Sequence, residues 1–273
     1  MIIDLHTHIF PDKIASATIR ELESHLPDGQ KAHSDGTLAG LLSTARAGEV
    51  AYSVLLPVVT APKQFDSINR FAEKAAETKG ILAFGGIHPD NDRIEERLQS
   101  LKDRGFPGIK LHPDYQHCYI NDPRYVRIIR TCVELDLMVS IHAGVDIGYP
   151  DPVHCPPELT AEMLDQVYEN REPEKANIIL AHLGGHDMYR DVERYLAGRN
   201  LYLDTAYSVD QLPVEDLMRL IRKHGTDKIV FGTDSPWTLQ KQQADYIRSL
   251  PLTEEEKEQI FWKNAASFLP VNS

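Results

Sequence analysis

The chain begins with Met1-Ile2-Ile3-Asp4-Leu5-His6-Thr7-His8, a short apolar run that ends in two histidines. Side chains along an extended strand alternate between its two faces. His6 and His8 are therefore expected on one face of the strand. Ile3 and Leu5 are expected on the other face, toward surrounding helices. The stretch predicts a buried first strand that ends in a pair of potential metal ligands.

Short apolar runs recur along the chain, separated by segments with the length and periodicity of amphipathic helices. The runs lie at residues 2–5, 51–56, 81–85, 108–111, 138–141, 177–181, 201–204 and 228–231. The predicted helices include residues 65–79, 94–104, 125–135, 158–170 and 214–224. Such alternation is typical of parallel strands joined by crossover helices. Eight unbroken units, without a GxGxxG turn after the first strand, favour an α/β fold of the (β/α)8 TIM-barrel type over an open doubly wound sheet.

Length and composition limit the class of protein. A chain of 273 residues suits one barrel, so residues 1–273 are predicted to form a single domain. The formal charge is -12, and no basic run could neutralise a nucleic-acid backbone. The three cysteines form no CxxC pair, which favours a reducing compartment. With no signal-peptide pattern and no apolar stretch near the roughly 20 residues that span a bilayer, a cytoplasmic protein without nucleic-acid or membrane partners is expected.

Polar side chains with ligand chemistry follow several of the predicted strands. His6 and His8 end the first strand, His142 the fifth, His182 the sixth and Asp234 the eighth. The reactive side chains of α/β barrels project from the carboxyl ends of their strands. Neutral imidazole and carboxylate suit Zn²⁺ or another divalent first-row metal. The pattern therefore predicts a divalent metal centre at the mouth of the barrel.

Each of these residues also has an ordinary structural explanation. A His-Thr-His triplet occurs often by chance, and a lone His142 or His182 is more often a hydrogen-bonded interior side chain. Asp234 alone could cap a following helix. It is their joint placement at the ends of several strands that favours a metal centre.

A set of short motifs spread along the chain resembles the amidohydrolase superfamily. The similarity is closest to its branch of decarboxylases and lactone or amide hydrolases related to aminocarboxymuconate-semialdehyde decarboxylase. The motifs are residues 4–8 (DLHTH), 86–89 (GIHP), 108–113 (GIKLHP), 141–144 (IHAG), 181–185 (AHLGG), 231–236 (FGTDSP) and 263–266 (KNAA). No single motif is specific, whereas the whole set is.

The resemblance implies roles for the strand-end residues. A catalytic metal, usually zinc, would be bound by His6, His8, His142 and Asp234. His182 would join a second metal or act on the substrate. Lys110 has two interpretations, because it could be carbamylated and bridge two metals, or remain a cation that neutralises a substrate carboxylate. One or two zinc ions are therefore expected.

The loops above the barrel contain further predicted contacts. His112, Tyr115, Asp146 and His154 are candidates for substrate binding. His25, His33 and His224 lie in helices or a polar connection and are expected to face solvent.

The predicted reaction is hydrolysis of a small amide or cyclic ester by a metal-activated water. Asp234 would act as general base, and His182 would stabilise the oxyanion or donate a proton. The enzymatic alternative is non-oxidative decarboxylation of an unsaturated carboxylic acid. A TatD-like phosphodiesterase is less well matched, because that family normally has Glu where this chain has Lys110. A non-catalytic metal-binding barrel is the fourth possibility. A small-molecule substrate is expected, and a homodimer is a further expectation because related barrels often pair.

Overall fold

The protein is described by a computed structural model that covers residues 1–27, 29–149, 152–169 and 173–271. Its strands alternate with helices, and every strand pairing is parallel. The strands are β1 (Ile3–Thr7), β2 (Tyr52–Leu55), β3 (Ile81–Ala83), β4 (Gly85–Gly86), β5 (Gly108–Leu111), β6 (Met138–Ile141), β7 (Ile178–Leu180), β8 (Tyr202–Asp204) and β9 (Ile229–Val230). The third predicted run, residues 81–85, is divided between β3 and β4. Each of the other strands corresponds to one predicted run.

The strands form two segments whose edges meet. Strands β1, β2 and β3 are neighbours in one segment, and β4 to β9 follow one another in the other. The amide of Phe84, between β3 and β4, donates to the carbonyl of Leu55, at 2.9 Å. At the other edge, the amide of Leu5 donates to the carbonyl of Phe231, at 2.8 Å. The second of these bonds connects the end of the last strand to the first strand, and the predicted barrel fold is confirmed.

Helices cover the outside of the strands. They are α1 (Asp12–Glu23), α2 (Leu38–Ala47), α3 (Phe65–Ala76), α4 (Ile94–Asp103), α5 (Pro123–Glu134), α6 (Pro157–Val167), α7 (Tyr189–Tyr195), α8 (Val214–His224), α9 (Gln240–Ser249), α10 (Glu254–Glu258) and α11 (Asn264–Ala266). All five predicted helices form, with described ends within three residues of the prediction; residue 170 lies outside the described residues. None of the helices in the described part of the chain is long and apolar enough to cross a membrane.

The first strand is irregular, and this corrects its predicted orientation. Ile3 and Leu5 were expected to face the helices, but they lie in a buried cluster with residues from strands around the ring and from the C-terminal segment. This cluster includes no residue of α1 to α9, so it fills the barrel interior. The pairing of β1 with β2 shifts register between Asp4 and Thr7. Because such a bulge breaks the alternation of side chains, Leu5 and His6 can both point inward.

The connection after β6 begins at the mouth of the barrel. Gly144 pairs with His186 through an isolated parallel bridge, which fixes the start of the connection. Asp146 and Gly148 line the cavity at the mouth. Residues 150 and 151 lie outside the described residues.

Candidate metal centre

Three side chains at the carboxyl ends of β1 and β9 converge on one point. His6 Nε2 lies 3.1 Å from His8 Nε2 and 3.4 Å from Asp234 Oδ1. His8 Nε2 lies 3.1 Å from the same Asp234 oxygen. A tetrahedral ion with bonds of about 2.1 Å would hold its ligand atoms about 3.4 Å apart. The spacing and the chemistry of these three groups fit a divalent metal.

The hydrogen bonds on the far side of each ring prepare both histidines as ligands. His6 Nδ1 donates to Asp204 Oδ2 at 2.8 Å, and His8 Nδ1 donates to the carbonyl of Leu56 at 2.9 Å. Each ring therefore has its lone pair on Nε2, which faces the centre. Burial lowers the pKa of His6 well below its usual range and favours the neutral ring that a metal requires.

Asp234 contributes the negative charge of the group. Burial alone would raise its pKa, but His6 and His8 outweigh that effect and lower the pKa to about 2. The residue has a left-handed backbone with φ of 64°, and its amide donates to the carbonyl of His6 at 2.8 Å. Such a conformation is uncommon for a residue other than glycine and is often found at functional sites. Here it coincides with a carboxylate aimed at β1.

Lys110 lies beside this group, on the inner face of β5. Its Nζ is 3.4 Å from His6 Nε2, and the side chain is buried. No carboxylate oxygen of the described residues lies within the 4.0 Å of a salt bridge from this ammonium group. Burial lowers the pKa of Lys110 to about 8, with Asp204 and Asp234 opposing the shift. Lys110 therefore places a buried ammonium group beside His6, without a carboxylate counter-ion in direct contact among the described residues.

His142 and His182 form a second pair of imidazoles. His182 Nδ1 donates to the carbonyl of Ala206 at 2.8 Å, so its Nε2 has the lone pair. That nitrogen lies 3.1 Å from His142 Nδ1, which is the donor of the contact. His142 does not belong to the group of His6, His8 and Asp234, and its assignment as a ligand of the same ion stays a prediction.

A second group of possible ligands surrounds the other side of His142. Asp146 Oδ2 lies 3.4 Å from His112 Nε2 and 3.9 Å from His142 Nε2. The rings of His112 and His142 are stacked at 4.1 Å, with 11° between their planes. A metal in the plane of one stacked ring would lie out of the plane of the other. The amide of Tyr115 also donates to His112 Nδ1, at 3.4 Å, which leaves Nε2 as a donor to Asp146. This group is therefore better suited to hydrogen bonding than to metal binding.

The predicted substrate contacts divide into two sets. His112, Tyr115 and Asp146 line the cavity, and Tyr115 stacks on His112 at 4.0 Å. His154 is not among the cavity-lining residues; its Nδ1 donates to Asp114 Oδ1 at 2.9 Å. Its position fits support of the loop rather than contact with a substrate.

Two buried carboxylates were missed by sequence reasoning. Asp204 ends β8 and binds both His6 and the amide of His182, at 2.9 Å. A carboxylate at a strand end was a usable signal. Asp114 follows the His112-Pro113 turn and holds His154, which only the fold could reveal.

The cavity at the barrel mouth joins this centre to a large apolar space. Its volume is about 880 Å³, near the upper end for small-molecule sites. The floor includes His6, His8, Lys110 and Asp234. The walls extend outward along α1 and α3.

A parallel α/β barrel with imidazole and carboxylate groups gathered at the carboxyl ends of its strands defines the class of metal-dependent barrel enzymes. The family model described as Amidohydrolase matches residues 3–271. The chain therefore belongs to the amidohydrolase family, as its motifs indicated.

Several solved structures have the same fold over almost the whole chain. An uncharacterised TIM-barrel protein from Bordetella bronchiseptica has a TM-score of 0.72 at 17% identity, with 98% of this chain and 97% of that chain covered. The 2,6-dihydroxybenzoate decarboxylase from Rhizobium has a TM-score of 0.68 at 21% identity, with 98% of each chain covered. A dihydroxybenzoic acid decarboxylase from Polaromonas sp. JS666, solved with manganese and 2-nitroresorcinol, has a TM-score of 0.69 at 18% identity, with 98% and 96% covered.

Proposed function

We propose that the protein is a metal-dependent decarboxylase that removes the carboxyl group of an aromatic or otherwise unsaturated acid without oxidation. The observation that carries the proposal is the buried ammonium group of Lys110, which has no carboxylate partner among the described residues. Burying an unpaired charge is costly. A substrate carboxylate would supply the missing counter-ion beside His6. The similarity to decarboxylases supports this reading over the hydrolysis favoured by the sequence.

The metal would be held by His6, His8 and Asp234. Two neutral imidazoles and a carboxylate accept zinc or manganese. When bound, a divalent ion would supply Lewis-acid chemistry that stabilises negative charge developing on the substrate. Lys110 would bind the departing carboxylate and fix its orientation.

Decarboxylation exchanges a carbon–carbon bond for a carbon–hydrogen bond, so the carbon must receive one proton as CO2 leaves. His182 is our choice for the donor. His182 lines the cavity, and its Nδ1 donates to the carbonyl of Ala206. The lone pair of its Nε2, 3.1 Å from His142 Nδ1, would take up a proton from solvent and give it to the carbon as CO2 leaves. The step consumes one proton and no water.

Hydrolysis of an amide or lactone is the second candidate, and Lys110 again provides the reason. A pKa lowered to about 8 increases the neutral amine fraction, which is the form that reacts with CO2 to give a carbamate. A carbamate would bridge two ions, as in binuclear relatives. Asp234 would then act as general base toward water, and His182 would stabilise the oxyanion.

The two reactions differ in what they release and in the atoms they take from solvent. Metal-loaded protein is incubated in deuterated ¹⁸O-water with panels of hydroxybenzoates, unsaturated acids, amides and lactones. We expect CO2 release and a product that carries one solvent deuteron at the carbon and no ¹⁸O. Product acid labelled with ¹⁸O, without CO2, would favour hydrolysis. Metal analysis before and after chelation, with zinc or manganese added back, identifies the ion and tests its requirement.

A further inference from the structure

Helix α1 presents an apolar stripe that takes no part in the hydrophobic core. Ile14, Thr18, Leu22 and Leu26 recur at intervals of four residues, which places them along one side of the helix and its extension. They line the cavity. The buried face of the same helix is a different one, formed by Ala15 and Ile19. The stripe is therefore not needed to attach α1 to the barrel.

Helix α3 shows the same division. Its buried face contains Phe65, Ala72 and Ala75, which belong to the main hydrophobic cluster. Ile68 and Phe71 lie on another side, are only partly buried and line the cavity. Two separate helices thus direct apolar side chains into one space.

We call this space the apolar chamber. It is bounded by Phe10, Ile14, Leu22, Leu26, Ile68 and Phe71. None of these six side chains belongs to either hydrophobic cluster of the described residues, and Ile14 is 50% exposed. Apolar surface exposed to water is unfavourable, and concentrated patches of it mark binding sites.

The apolar chamber is continuous with the candidate metal centre, because one cavity is lined by both. Liquid water occupies about 30 Å³ per molecule, so 880 Å³ has room for on the order of thirty water-sized groups. A benzoate with one or two hydroxyl groups would fill only the part near Lys110. The rest of the lining is mostly apolar, with polar side chains such as Gln30, Lys31 and Gln64 at some points, so a hydrocarbon group matches more of it than a hydroxyl or charged group does.

We propose that the apolar chamber binds a hydrocarbon substituent of the substrate, so that the substrate is an unsaturated or aromatic acid with an extended alkyl or aryl group. The carboxylic acid group of this substrate rests on the proposed function. Its hydrocarbon substituent is inferred from the lining of the apolar chamber alone. A second copy of the chain seated on the stripe is the competing occupant.

The test measures binding separately from turnover. The probes are benzoate, 4-propylbenzoate and 4-hexylbenzoate, together with the corresponding benzyl alcohols, which lack the carboxylate. Calorimetry gives dissociation constants for the metal-loaded protein, and Trp237, which lines the cavity, offers a fluorescence signal. We expect affinity to rise about fourfold for each added methylene in both series.

Substitutions in the chamber should remove this dependence on chain length. Ile68→Asn and Phe71→Ser are expected to reduce the gain from benzoate to 4-hexylbenzoate by at least tenfold, with little effect on benzoate. Val214→Ser is the matched control, because Val214 is 44% exposed and does not line the cavity. Thermal unfolding of each variant confirms that the protein is folded.

The outcomes separate the two proposals. If the alcohols gain affinity with length while no acid is decarboxylated, the chamber stands and the proposed reaction fails. If benzoates are decarboxylated but length has no effect on binding, the chamber proposal is overturned and the reaction stands. A change in oligomeric state in Phe71→Ser, measured by light scattering with unchanged length dependence, would assign the stripe to a second copy.

Discussion

The imidazole of His6 is anchored by the carboxylate of Asp204, with 2.8 Å between His6 Nδ1 and Asp204 Oδ2 and both side chains buried. The carboxylate can only accept a hydrogen bond, so it fixes the proton of the ring on Nδ1. His6 Nε2 is thereby left with a lone pair directed at Asp234 and His8. A metal ligand is prepared by a residue that does not itself face the metal.

Asp204→Asn should weaken His6 as a metal ligand. The amide group can donate to His6 Nδ1, which would move the ring proton to Nε2 and block the lone pair. We expect metal affinity to fall about 10- to 100-fold, measured by competition with a chromophoric chelator. Asp227→Asn changes an exposed carboxylate that precedes β9 and does not line the cavity, so it should leave affinity unchanged. Equal affinities for the wild type and Asp204→Asn would contradict the anchoring role.

The role of Asp204 also shows where sequence reasoning ends. His6, His8 and Asp234 could be predicted because each ends an apolar run, and barrel strands bring such ends together. Asp204 also ends an apolar run, so its position at the barrel mouth could have been predicted. Its bond to His6 joins residues 198 positions apart, and no local pattern indicates that pairing. The inward orientation of Leu5 was missed because a bulge follows Asp4, and no turn residue marks that bulge in the sequence.

His182→Gln tests the proposed proton donor. The variant retains a polar side chain but has no imidazole nitrogen to carry the proton. We expect kcat to fall by about 10²- to 10⁴-fold, while metal content and the dissociation constant of the acid change little. His117→Gln, an exposed histidine outside the cavity, serves as the control. An equal loss in metal content would instead assign His182 a structural or ligand role.

Lys110→Met removes the buried cation and retains much of its length. Loss of a charge-assisted contact costs about 1.5–3 kcal/mol, so the affinity for a carboxylate substrate should fall on the order of 10- to 100-fold. The free energy of unfolding should stay level or rise, because an unpaired buried charge is removed. Isothermal titration and urea unfolding measure the two effects.

The same residue separates the two candidate reactions in the wild-type protein. Activity that is independent of dissolved CO2 fits the role of Lys110 as a carboxylate-binding cation. Activity and a second bound metal that disappear in CO2-free buffer and return with bicarbonate would identify a carbamate.

His224 was expected to face solvent, but it is buried and should make the protein sensitive to acid. Its Nε2 donates to the carbonyl of Leu201 at 3.0 Å, and its Nδ1 accepts from the amide of Gly198. Burial lowers its pKa to about 4 from 6.5. Between these values the unfolded chain binds more protons, so stability is complete above pH 6.5 and decreases as the pH falls toward 4.

The difference of about 2.5 in pKa corresponds to a loss of up to about 3 kcal/mol from this residue. Urea unfolding at pH 7 and pH 5 measures the part lost in that interval. His224→Asn should show a shallower decrease, whatever its stability at pH 7. His25→Gln, with a side chain 53% exposed, should retain the wild-type decrease. An unchanged slope in His224→Asn would place the acid sensitivity elsewhere.

Gly144 connects β6 to the loop that carries Asp146, and it should not tolerate a side chain. Its φ is 82°, and a Cβ there would lie 2.1 Å from the amide nitrogen of His186. Gly105 offers a matched control, because its φ is 85° but nothing lies within 4 Å of the added carbon. Gly105→Ala should cost about 1 kcal/mol from backbone conformation alone. Gly144→Ala adds a collision with backbone atoms, which we expect to cost a further 1–3 kcal/mol, as is typical for overpacked sites. Equal urea midpoints for the two variants would mean that the backbone at the bridge between Gly144 and His186 can shift at little cost. The loop would then not hold Asp146 in place over the metal centre.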